Sequence, residues 1–146
     1  MATGPTYEGA RLLLQLYDLR REKALRRARD FVNRELKFKD VKDFNRRHPE
    51  GSKGMRYIGM VIGYWETACA LVSRGLIDEN LFNAVTYEHL EVWKKLKPLV
   101  AAWRKQWQAP QMLQALEEVA TRHPVMAAAA NTPAKKKPQT KQTKRK

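Results

Sequence analysis

The sequence predicts an all-α protein, a small bundle of about five or six helices followed by a disordered, basic C-terminal tail. Three observations predict it. Apolar residues recur every three to four positions in each long segment. No stretch alternates with period two, and no Asn-Gly or Asp-Gly pair marks a hairpin. Residues 125–146 carry seven cations, no acid and, beyond Met126, no apolar side chain except alanine, too little to offset the entropy of ordering a chain. The expected organisation is a flexible N-terminus over residues 1–5, the bundle over 6–124 and the tail over 125–146.

The first helix is expected over Thr6 to Leu19, where Leu12, Leu13, Leu16 and Leu19 share one side, Thr6 is placed to cap and Glu8 sits in the first turn. Arg20 to Leu36 sets Leu25, Ala28, Val32 and Leu36 at steps of three and four and predicts a second. Lys37 to Gly54 reads as a short helical turn and then the main loop, broken by Pro49, Gly51 and Gly54. Met55 to Ser73 is apolar at almost every position, which predicts a central helix covered on most sides and ended by Gly75. Asp78 is placed to cap a short helix, Glu79 to Val85. Tyr87 to Trp107 aligns Leu90, Trp93, Leu96, Val100, Trp103 and Trp107, with Glu91, Lys94, Lys95 and Lys105 opposite; the stripe stays in phase past Pro98, so the proline is expected to kink the helix without ending it. Pro110 is expected in the first turn of a final helix closed by His123-Pro124.

At 146 residues with 43% hydrophobic content the chain holds one core. Cys69 is the only cysteine, so no internal disulfide forms, and the start of the chain lacks the features of a secretory signal. A reducing, cytoplasmic setting is expected. The apolar run from Tyr57 to Val72 is interrupted by Glu66 and Thr67 and is shorter than the roughly 20 residues that span a bilayer.

Several residues carry a resemblance. Glu66 in an apolar helix is followed by Leu71-Val72, Arg74-Gly75-Leu76-Ile77-Asp78, Trp93 and Pro98, with Ala28-Arg29-Asp30-Phe31-Val32 upstream. In this order the chain, over residues 7 to 107, resembles an uncharacterised family of short helical bacterial proteins, domain of unknown function 4760. The resemblance implies a helical fold and no activity.

No catalytic residue, cofactor or metal site is expected. Neither a nucleophile elbow nor a dinucleotide or phosphate loop occurs, and His48, His89 and His123 lack metal-ligand spacing. Glu66 is the polar residue hardest to place, because a carboxylate among Tyr64, Trp65, Ala68 and Cys69 needs a partner; an arginine such as Arg11 or Arg29 is the expected one, with a ligand-binding or catalytic role the alternative. Arg46, Arg47, Ser52 and Lys53 precede the central helix, whose N-terminal N–H groups suit an anion; a solvated loop capped by Ser52 is the competing reading. Arg20, Lys23, Arg26, Arg27 and Arg34 share the outer arc of the second helix and match a phosphate-tracking face, or a solvent face relieved by Glu22 and Asp30.

Charge is the most unusual feature: 29 Lys and Arg against 15 Asp and Glu leave +14. Half of that excess is Lys135, Lys136, Lys137, Lys141, Lys144, Arg145 and Lys146. The expectation is a non-enzymatic helical interaction module. Its partners are a protein or a polyanion, nucleic acid or ribonucleoprotein, met through the basic surface and tail. Two alternatives stand beside it: a small enzyme or ligand-binding bundle organised around Glu66, and membrane-surface association through the Trp93–Trp107 helix, which a core role for the tryptophans makes the weaker of the two. The sequence leaves oligomeric state open.

Overall fold

The computed structural model describes residues 4–133. Within them lie eight α-helices and no strand: α1 (Tyr7–Leu19), α2 (Lys23–Asp30), α3 (Val41–Arg47), α4 (Lys53–Ser73), α5 (Glu79–Val85), α6 (Glu88–Gln106), α7 (Gln114–Arg122) and α8 (Pro124–Ala130). A π-helical turn, Phe31–Glu35, continues α2 and closes with Leu36 N–H donating to the Phe31 carbonyl at 2.8 Å. The count exceeds six because α3 and α8 are short helices of seven residues each.

Local capping starts most of the helices. Thr6 Oγ1 accepts from Gly9 N–H at 3.0 Å, Asp40 from Asp43 at 2.8 Å, Ser52 from Met55 at 3.3 Å and Asp78 from Leu81 at 2.8 Å. Each occupies one of the otherwise orphaned donors of a first turn. Gly75, at φ +75°, ends α4 in the left-handed conformation that glycine adopts without a Cβ penalty. Gly9 lets α1 approach the next segment closely: a Cβ there would lie 2.8 Å from the Leu76 carbonyl oxygen.

α4 packs against α2, the π turn, α5 and α7 and presents Ile58, Val61, Trp65, Ala68, Cys69 and Val72 to the core. It is covered along one stripe and not on most sides, because Gly59, Met60, Gly63 and Thr67 face solvent and the two glycines add no apolar area to bury. α6 contributes Leu90, Trp93, Leu96, Leu99, Val100 and Trp103, all buried. It runs unbroken through Pro98, which is exposed. Each large core side chain so covered stabilises the fold by about 1.5–3 kcal/mol before chain entropy is counted.

Two expectations about the C-terminal part are corrected. Pro110 lies in a turn and α7 begins only at Gln114, because Leu113, buried, adopts a left-handed φ of +57° that interrupts the helix. The segment expected to be disordered from residue 125 begins with α8, where Pro124 takes the first helical position, His123 caps Val125 N–H at 3.2 Å and four alanines favour the helix. The rest of the expected tail from residue 134 and residues 1–3 of the expected flexible N-terminus lie outside the described residues.

Candidate functional site

The basic arc of α2 divides. Lys23, Arg26 and Arg34 are exposed and take part in no ion pair among the described residues. The acids nearest them are occupied: Glu22 accepts the N–H groups of Ala24 at 3.0 Å and Leu25 at 2.8 Å, and Glu35 pairs with Arg27 at 2.8 Å. Asp30, exposed on the same helix, trims the local excess by one charge. Arg27 also lies over the Tyr57 ring at 5.3 Å, and Lys53 lies over that same ring at 5.7 Å. The fold thus brings one cation of the α2 arc and one of the basic loop onto a single aromatic platform.

The loop itself does not close into an anion cradle. Arg46 and Arg47 both turn to Asp43, at 2.7 and 2.9 Å, because three- and four-residue spacing stacks them on it along α3. Those two guanidinium groups and the Lys39 N–H hold the Asp43 carboxyl well below the usual carboxylate range. Ser52 serves as the cap of α4, and Arg56 donates to the Gly51 carbonyl at 3.1 Å. Of the four loop residues, Lys53 joins the aromatic platform, while Arg46 and Arg47 stay exposed and share the one charge of Asp43.

Glu66 is half-buried, and its partner is neither Arg11 nor Arg29. Its Oε1 accepts Ala115 N–H at 3.0 Å and its Oε2 accepts Leu116 N–H at 2.8 Å. α7 has no capping side chain of its own, since Leu113 stands where a cap belongs, so a carboxylate from α4 serves that helix start and its dipole. Both oxygens are committed to this cap.

Arg29 belongs to a different cluster. It grips Glu88 with Nε at 2.9 Å and Nη2 at 2.5 Å, while Asn33 adds a third hydrogen bond at 3.0 Å. Burial works against the Glu88 charge, but the hydrogen bonds from Arg29 and Asn33 outweigh it and keep the carboxyl below its ordinary range. Arg20, counted on the basic arc, instead sits at the edge of this cluster, 3.6 Å from Glu88. The neighbouring His89 is fully buried against Trp65 and Phe82, and neither ring nitrogen finds a partner among the described residues. Burial, with the nearby His123, pushes its pKa down to about 4. Sequence reasoning missed this network because its members lie up to 59 residues apart; the adjacent Glu88-His89 pair was its one local trace.

Trp93 and Trp103 are buried, so the tryptophan stripe of α6 is core and only Trp107, stacked on Trp103, reaches the surface. Lys95, expected on the solvent side, reaches back to cap the π turn, donating to the Val32 carbonyl at 2.7 Å and the Asn33 carbonyl at 3.1 Å. Burial lowers its pKa from the ordinary lysine value. Cys69 is buried, and burial followed by the nearby Glu66 and Glu79 charges raises its thiol far above the reactive range. Among the described residues no helix is long and apolar enough to cross a membrane. Lys135, Lys136, Lys137, Lys141, Lys144, Arg145 and Lys146 lie outside the described residues.

No curated protein and no solved structure matches the chain. The sequence profile of the family described as Domain of unknown function (DUF4760) matches residues 5–123, which takes in α1 through α7 and both ends of the Glu66 contact. The chain belongs to that family, the domain of unknown function DUF4760.

Proposed function

We propose that the protein is a non-enzymatic helical interaction module that engages a polyanion, nucleic acid or ribonucleoprotein, through the outer cations of α2 and the lysine-rich residues 135–146. The observation that carries this reading is the exposed trio Lys23, Arg26 and Arg34, in no ion pair among the described residues: Glu22 is spent on a helix cap and Glu35 on Arg27, so Asp30 offsets only one of the three charges. Arg27 and Lys53 over Tyr57 extend the same surface onto a second element. Contacts of this type neutralise phosphates without reading base edges, so binding is strong at low salt and indifferent to sequence.

Fluorescence anisotropy with labelled duplex DNA and RNA, at low and at physiological salt, tests it. If all seven tail cations meet phosphates, they contribute a slope of log K against log salt near −6 on DNA, and Lys23→Gln, Arg26→Gln and Arg34→Gln together flatten the total by about 3. Binding that ignores salt, or the absence of binding by the full chain, sinks the reading.

A further inference from the structure

A separate feature lies between α1 and α5. α1 carries an apolar stripe at helical spacing, Ala10, Leu13, Leu14 and Tyr17, and the next residue on that stripe is Arg20. This stripe and α5 enclose a trough of about 430 Å³, walled by Leu13, Leu14 and Tyr17 on one side and Phe82 and Val85 on the other, with buried Trp65 beneath. Its volume is that of a small-molecule site. Leu14 is 68% exposed, Tyr17 58% and Val85 60%, so the rim holds apolar side chains that water covers poorly and an apolar ligand covers well.

Arg20 is the one charged residue of the lining. Its side chain is only 20% exposed, held 5.7 Å over Tyr17 and 5.5 Å over Trp65. Its guanidinium makes no hydrogen bond among the described residues, and its nearest acid, Glu88 at 3.6 Å, is already taken by Arg29 and Asn33. Two guanidinium groups therefore share one carboxylate, and the trough's lining keeps one positive charge in excess. A guanidinium in the wall of an otherwise apolar channel, with no hydrogen bond of its own among the described residues, is the complement of a carboxylate with a hydrocarbon chain behind it.

We propose that this trough binds an aliphatic monocarboxylate, its chain laid between α1 and α5 and its head group paired with Arg20. A second copy of the chain is a poorer occupant, because it brings the same +14 toward a cationic lining. A nucleic acid has no apolar chain to fill the channel.

Isothermal titration of the full chain with decanoate below its micellar concentration, and with 1-decanol, at physiological salt, decides the matter. The expected result is one saturable site that favours decanoate over decanol by at least about tenfold. Arg20→Gln erases that preference while decanol binding persists. Leu14→Glu, at a rim position outside the buried core, abolishes uptake of decanoate. The proposal is overturned by no saturable decanoate binding, by multiple weak sites, by equal affinity for acid and alcohol, by a preference that survives in Arg20→Gln, or by undiminished binding to Leu14→Glu. Self-association in sedimentation that buries the trough and excludes decanoate overturns it as well.

Discussion

Two polar residues beside the core, half-buried Glu66 and buried His89, do opposite things. Glu66 is fully answered by two backbone donors of α7, so Glu66→Ala leaves both N–H groups without acceptors and is expected to lower stability by about 1–3 kcal/mol in denaturant unfolding. Glu66→Gln, which keeps one acceptor oxygen, costs less. His89 has no hydrogen-bond partner among the described residues, and its pKa of about 4 lies below the ordinary 6.5, so the unfolded chain binds its proton first. The stability that neutral His89 contributes is complete above pH 6.5 and is lost as the pH falls toward 4, by about 3 kcal/mol. His89→Leu is expected to flatten the unfolding profile across that interval while leaving neutral-pH stability nearly unchanged, since no hydrogen bond is lost. Glu88 acts in a lower window: its depressed carboxyl stabilises above its ordinary range, and that contribution fades only as the pH falls below it. That Glu66 needed a partner was legible in its apolar neighbours; which partner was not, because the answering donors lie 49 and 50 residues away and are backbone atoms without a sequence signature.

At the level of helices, legibility followed the reach of the signal. Thr6, Ser52 and Asp78 each bond an N–H three residues ahead, and Gly75 acts where it stands, so these boundaries are written locally. α7 is the exception, because its start is set by the left-handed Leu113 and by Glu66 of another helix. Lys95 is a second exception. A lysine on the polar side of an amphipathic stripe reads as solvent-facing, yet its flexible stem carries the ammonium to two carbonyls at the end of the π turn. Lys95→Met keeps the stem and removes the donor, leaving the Val32 and Asn33 carbonyls without it. A loss of about 1–2 kcal/mol is expected, with accelerated amide exchange confined to residues 31–36 in hydrogen-exchange mass spectrometry.

Across the whole molecule, the all-α class and one continuous core were legible because periodic apolar stripes must cover one another. The coverage of α4 was overestimated, since counting apolar letters does not reveal that Gly59 and Gly63 open its outer side. The basic surface was legible as composition but not as arrangement: Arg46 and Arg47 share the one charge of Asp43 and Arg20 flanks the Glu88 cluster, while Lys23, Arg26, Arg34 and Lys53 meet no acid at ion-pair distance among the described residues. The Glu66 contact also bears on how the chain is made. A ribosome delivers α4 long before residues 115 and 116, so a nascent chain holds an unmatched carboxylate beside its core until almost the entire domain has emerged. Stalled chains ending near residue 110 are therefore expected to be cleaved readily by protease, with resistance arriving abruptly once α7 is free. The aggregation-prone interval of this domain is as long as the wait for α7.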